Sequence, residues 1–321
     1  MEKSISTSYT AKGLKLKKSG VLYELNRNKI LFLMIAPAVI YFLVFAYVPM
    51  AGIIVAFKNY NYRGGIFFSP WSGFDNFKFF FSSGQAWVVT RNTFLYNIAF
   101  IVIGNALQVG VAIFMSEIQS KLYKKVAQAF MFLPYFVSWV VVGMLAYNIF
   151  NSQYGLLNHL LASLGIDPIN VYNTPGAWKY ILVALQSWKY LGYGVIMFQA
   201  AIMGIDSECY EAAEIDGATT LQRIFKITIP LIMPTIVILT LLALGRVLRG
   251  DFQMFYQLIG DNGILYNATD VIDTFVFRSL INSSNIGMSS AAAFYQSVLC
   301  FIFIIVVNAL VKRYESEYAL F

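Results

Sequence analysis

Six long apolar runs, at about 30–57, 91–116, 126–150, 179–203, 227–248 and 291–311, constrain this 321-residue chain more than any other feature. Each is long enough for a helix to cross the ~30 Å hydrocarbon core of a bilayer, and a helix satisfies every backbone polar group without water. The first run exceeds a signal-peptide core and no small-residue cleavage site follows it, so it reads as an uncleaved span. Charged residues make up 12% of the chain, about half the ~25% of an average soluble domain. The expected fold class is all-α: a polytopic membrane protein with six transmembrane helices in one domain at 30–313. A basic segment at 1–29 and a short tail at 314–321 flank it.

The cations report sidedness. Fourteen of the 23 Lys and Arg lie in 1–29, the turn at 117–125, the stretch 206–229 and the pair Lys312-Arg313. Six crossings put all of these on one side, and the positive-inside rule makes that side cytoplasmic. Both termini are therefore expected in the cytoplasm, and the net charge of +7 is a membrane signal, not one for nucleic acid. The loop 58–90 carries interfacial aromatics, Tyr60, Tyr62, Trp71 and Phe74. The loop 151–178 is rich in Asn, Gly and Pro. The loop 249–290 reads as polar, through Asp251, Asp261, Asp270, Asp273 and Arg278. Residues 12–29 interleave Leu and Val with Lys, which suits either a helix lying on the inner membrane surface or a solvated basic tail.

One polar island interrupts the apolar sequence. Five carboxylates (Asp206, Glu208, Glu211, Glu214, Asp216) fall within eleven residues. Acidic groups suit the positive end of a helix, and Asp206 or Ser207 can cap it. Gly217 permits the positive φ that ends a helix. Thr219 and Gln222 stand at capping-box spacing, and Pro230 suits the first turn of the next span. The spacing predicts an elbow at 206–229: two short helices joined at a glycine between two spans.

That elbow resembles the permease subunits of binding-protein-dependent (type I) ABC importers, which carry Glu-Ala-Ala, Gly four residues later, then Ile and Pro. Glu211, Ala212, Ala213, Gly217, Ile227 and Pro230 match; Ile229 stands where the family usually has Leu. Leu33-Met-Ile-Ala-Pro37, Tyr47-Val-Pro49, Ala56-Phe-Lys-Asn-Tyr60, Ser69-Pro-Trp-Ser-Gly73, Phe132-Leu-Pro-Tyr135 and Asp270-Val-Ile-Asp-Thr274 look like the polysaccharide permease subfamily of Gram-positive bacteria. The resemblance covers nearly the whole chain. It implies a bacterial plasma-membrane permease paired with a second, homologous permease, two ATPase subunits and an extracellular lipid-anchored sugar-binding protein. It also implies that the elbow sits in a cleft on the ATPase. Glu211 would make contact there with Ala212, Ala213, Asp216, Ile227 and Pro230 beside it, and Gly217 would set the bend. A pectin fragment such as a rhamnogalacturonan oligosaccharide is the expected cargo.

The chemistry is otherwise sparse. No phosphate loop of the form G-x-x-x-x-G-K-[ST] exists, so ATP and Mg²⁺ would belong to a partner and the chain would bind no cofactor itself. His159 is the only histidine and lies in a loop; Cys209 and Cys300 make no metal or disulfide pattern. None of the sixteen carboxylates falls inside an expected span, which speaks against an ion-coupled carrier. The residues alone still leave open a secondary carrier or a membrane scaffold uncoupled from any ATPase. Polar span residues such as Asn105, Gln108, Ser187 and Gln199 are expected to bond between helices. Tyr135, Trp139, Trp188 and Tyr193 are candidates to stack on sugar rings. Lys189, Arg246 and Arg249 are the cations in or near spans, and the hypothesis is that they favour an anionic sugar.

Overall fold

The computed structural model describes residues 27–314. It forms two units, Met1–Gly52 and Ile53–Phe321. In the first, α1 (Lys29–Phe42) runs on through a wide turn at Leu43–Tyr47 and a tighter helical stretch from Val48. Its side chains are apolar on every face and none of the α1 residues is buried, as suits a helix whose solvent is lipid. The basic segment up to residue 26 and the tail from residue 315 lie outside the described residues.

The second unit contains α2 (Asp75–Ser82), α3 (Gln85–Ser116), α4 (Lys121–Phe136), α5 (Trp139–Phe150), α6 (Leu156–Ser163), α7 (Pro175–Met203), α8 (Ser207–Ile215), α9 (Thr220–Arg223) and α10 (Ile229–Leu244). It ends with α11 (Phe252–Ile259), α12 (Tyr266–Thr269), α13 (Ile272–Ile281) and α14 (Ile286–Tyr314). Among the described residues five helical runs are long and apolar enough to cross a membrane, and α4 with α5 makes a sixth as a bent pair. The chain is an all-α, multi-pass membrane protein.

The bent pair corrects the expectation of a straight third span at 126–150. The two halves meet at 95°. Pro134 has no N–H for the helical ladder, and Val137 and Ser138 are extended. Ser138 then caps α5 by accepting from the Val141 N–H at 3.4 Å. Each half is held by close packing at a glycine. A Cβ on Gly192 of α7 would sit 2.2 Å from the Met131 carbonyl oxygen of α4. One on Gly143 of α5 would sit 2.5 Å from the Gln257 carbonyl oxygen of α11.

α3 and α7 form the centre of the bundle. Ala112 and Ile113 of α3 pack with Val195, Phe198 and Ile202 of α7 and Ile232 of α10. Polar side chains tie these helices to one another and to α4: Asn105 donates to Thr240 at 2.9 Å, Gln108 to the Tyr190 carbonyl at 3.3 Å, and Gln128 of α4 to Gln199 at 2.5 Å. Asn97 and Asn148 instead bond carbonyls one turn back on their own helices.

Residues 249–290, expected as a polar loop, fold into α11, α12 and α13 and bury Met254, Phe255, Leu258, Leu265, Val271, Ile272 and Phe275. Of the charges that suggested solvent, Asp261 is exposed, but Asp251, Asp270, Asp273 and Arg278 are partly or fully buried. Asp270, 3% exposed, pairs with Arg278 at 2.5 Å and accepts from the Thr274 hydroxyl at 2.7 Å. Asn92 donates to the Asp270 carbonyl at 3.0 Å, Tyr96 to the Ala268 carbonyl at 2.8 Å, and Thr93 accepts from the Ile272 N–H at 3.0 Å. The Asp270–Thr274 motif is thus a clamp that fastens this insertion to α3.

Asp273 has a different role. Its Oδ2 accepts from the Gly250 N–H at 2.7 Å and from Gln296 of α14 at 2.9 Å, joining the insertion to the last span. Burial pushes its carboxyl above the usual range, against the Gly250 and Gln296 hydrogen bonds and the Arg249 charge. A raised folded pKa means the group's stabilisation is complete below the unfolded value, ~4, and is lost as pH rises through the folded value. An Asp273→Asn variant keeps an acceptor oxygen but cannot ionise. Its stability relative to wild type should therefore increase as pH climbs above about 4 and level off past the raised value. Thermal denaturation of the assembled protein across pH checks this; a constant difference would contradict it.

Candidate functional site

The elbow forms as the spacing predicted. Asp206 caps α8, accepting from the Glu208 N–H at 3.0 Å. At the other end Gly217 takes φ +73°, its N–H reaches the Glu214 carbonyl at 3.0 Å, and the Ala218 N–H reaches Ala213 at 2.9 Å. Those two bonds are the paired closure that a left-handed glycine makes possible at a helix end. Thr219 and Gln222 complete the reciprocal box at 3.3 and 2.8 Å. A wide helical turn at Ile224–Thr228, which includes Ile227, leads into α10, with Pro230 in its first turn.

Arg223 reaches Glu117, just past α3, at 3.9 Å, and Ile224 packs against the core between α3 and α7, so both hold the elbow to the body. The Tyr210 and Thr228 hydroxyls share a hydrogen bond at 2.9 Å that ties the two arms of the elbow to each other. Much of its remaining surface is free. Glu211, Ala212 and Asp216 are exposed, Ala213 is half-buried, and Ile215, Leu221 and Phe225 stand exposed beside them.

The structure separates the seven residues proposed for a route into three places. Tyr135, Trp139, Lys189 and Tyr193 gather at the break between α4 and α5. The Tyr135 and Tyr193 rings stack at 5.0 Å and 14°. Lys189, one of the cations hypothesised to favour an anionic sugar, is buried. Its ammonium donates to the carbonyls of Pro134 and Tyr135, both at 3.1 Å, and of Val137, and lies 5.3 Å from the Trp139 ring. Trp188 instead lines a cleft of about 860 Å³ between α3 and α7, with Tyr180 and Lys179. Arg246 and Arg249 line a third cleft, of about 370 Å³, with Gln296, Ser297 and Cys300 of α14. Both guanidiniums are exposed, and neither makes an ion pair among the described residues.

Sequence reasoning missed Asp251 and Tyr190. Asp251 Oδ2 accepts from the Trp139 indole at 2.9 Å and from the Tyr190 hydroxyl at 3.5 Å, while Oδ1 caps α11 at the Met254 N–H. Its place directly after Arg249-Gly250, at the head of an apolar run, was the available signal.

A multi-pass helical body with an exposed helix–glycine–helix elbow between two spans is the form of a membrane-embedded transport component. Residues 108–316 match the family described as binding-protein-dependent transport system inner membrane component, and the chain belongs to that family. Protein LplB of Bacillus subtilis (strain 168) is 33% identical over 293 residues, 91% of this chain and 92% of that protein. The polygalacturonan/rhamnogalacturonan transport system permease protein YteP of the same organism is 31% identical, with 94% of each chain covered. The fold matches a chain of a bacterial alginate ABC transporter, solved with its alginate pentasaccharide-bound periplasmic protein. The TM-score is 0.81 at 30% identity, covering 91% of this chain and 97% of that one.

Proposed function

We propose that this permease imports acidic oligosaccharides derived from plant or microbial polysaccharide. It encloses half of the translocation route, with a second homologous permease forming the other half. Two ATPase subunits work from the cytoplasm, and a lipid-anchored binding protein delivers the sugar from outside. The elbow is the part that receives the ATPase's motion: its acidic, alanine-faced and partly apolar surface is exposed, and the chain has no phosphate loop of its own. Glu211 makes the polar contact with the ATPase, and Gly217 fixes the angle at which the motion enters the body.

The acidic cargo rests on one observation: two exposed guanidiniums on the cleft between the end of α10 and α14, free of ion pairs among the described residues. Guanidinium pairs a carboxylate in a two-pronged way that water does not match. The cargo of YteP and of the alginate transporter, as their names give it, is of the same acidic kind. Vesicles holding the assembled transporter should take up acidic oligosaccharide only with internal ATP. Arg246→Ala should weaken that uptake by about tenfold, the equivalent of one charge-assisted hydrogen bond, and leave a neutral oligosaccharide of equal length nearly unaffected. An equal loss for both sugars would remove the acidic specificity; uptake without ATP would remove the importer reading.

A further inference from the structure

We infer that Lys189 is a positioning residue for the sugar route: it holds the aromatic face of Tyr135 and Tyr193 in place and is not itself the contact for a ligand's charge. The inference rests on the oligosaccharide reading above. Where the chain leaves helical geometry after Phe136, the ordinary i+4 amide donors to the last carbonyls of α4 are lost, and the Pro134 carbonyl keeps a backbone donor only in the Val137 N–H at 3.2 Å. The Lys189 ammonium stands among them. An ammonium has three N–H donors. Three carbonyls take them here: Pro134 and Tyr135 at 3.1 Å each, and Val137.

The charge also lies at the negative end of the α4 dipole. The Trp139 ring covers another side at 5.3 Å, and Asp251 fixes that ring through its indole N–H at 2.9 Å. With 5% of Lys189 exposed, no donor is left for a ligand.

What it does hold is Tyr135. One of the three carbonyls is that residue's own. The ring of Tyr135 stacks on Tyr193, one turn beyond Lys189 on the same helix. A single turn of α7 therefore grips Tyr135 by both backbone and ring. Gly192, between the two, lets the helices come close enough for both.

The test is oligosaccharide uptake by the assembled transporter in vesicles, with Lys189→Met and Tyr193→Ala made singly and together. Each single variant should raise KM by about tenfold, a loss of about 1.4 kcal/mol, and equally for acidic and neutral sugars. The maximum rate per folded complex should hold. The double variant should be no worse than the worse single one, and Lys189→Arg, which can still donate to the carbonyls, should restore most of the loss.

Three results overturn the inference. KM effects that multiply in the double variant would mean independent roles. A KM effect confined to acidic sugars would make Lys189 a charge contact. An unchanged KM with fewer folded complexes would make it a fold residue only. Wild-type transporter that takes up neither sugar would overturn the route reading and this inference together.

Discussion

A Gly217→Pro transporter should assemble in the membrane and hydrolyse ATP at its basal rate, yet import sugar at less than about a tenth of the wild-type rate. Proline holds φ near −65°, whereas this position sits at +73°, and the misfit costs ~3 kcal/mol or more. It would also remove the N–H that bonds the Glu214 carbonyl at 3.0 Å. The elbow would relieve the strain by changing its angle, and a change worth more than ~1.4 kcal/mol is already a tenfold effect on a rate. Nothing lies within 4 Å of a Cβ built at Gly217, so Gly217→Ala carries only backbone strain, about 1–2 kcal/mol. It should fall between wild type and proline. Glu211→Ala is the complementary case. The side chain is exposed on an intact helix, so folding should change by less than ~0.5 kcal/mol while sugar-stimulated hydrolysis is lost. The paired assay is ATP hydrolysis with and without sugar-loaded binding protein, alongside uptake. Full stimulation and full uptake in all three variants would disprove the coupling role.

The largest stability loss should come from Asp270→Ala, at about 3–5 kcal/mol. Arg278 would remain with its side chain 21% exposed and lose a partner at 2.5 Å, and the Thr274 hydroxyl would keep only the Val271 carbonyl of its two acceptors. Burial works against the Arg278 charge, but Asp270 outweighs it and holds the guanidinium's pKa above its ordinary value. The Tyr266 ring, 3.8 Å from that guanidinium, cannot replace a carboxylate. Removing both charges in an Asp270→Leu, Arg278→Met variant should recover most of the loss, because two apolar groups leave no buried charge unpaired. Heat inactivation of the purified assembly measures the difference. If Asp270→Ala were as stable as wild type, the clamp between the insertion and α3 would be dispensable.

The spans and the elbow were legible because each rests on local chemistry. Apolar length marks a span, and Asp206, Gly217, Thr219 and Gln222 each act within a few residues of their own position. The insertion was illegible for the opposite reason. Asp251, Asp270, Asp273 and Arg278 have the composition of a solvated loop, and only their partners on other helices reveal that they are internal. The break in the third span was half visible: Pro134 was in plain view. The turn, however, is held by Lys189, 52 to 55 residues from the carbonyls it meets, and by Gly192 and Gly143, which pack against the Met131 and Gln257 carbonyls far from them in the chain. Lys189 itself shows that a cation in a span identifies an unmet carbonyl as readily as an anionic ligand.

α10 carries the elbow at one end and leads at the other to the cleft with Arg246 and Arg249. A helix is a screw, so each residue added between those ends would rotate one against the other by about 100° and separate them by about 1.5 Å. The angle and spacing between the elbow and the arginines are therefore stored in a residue count. That count would survive the exchange of nearly any apolar side chain along the shaft, but not the gain or loss of one.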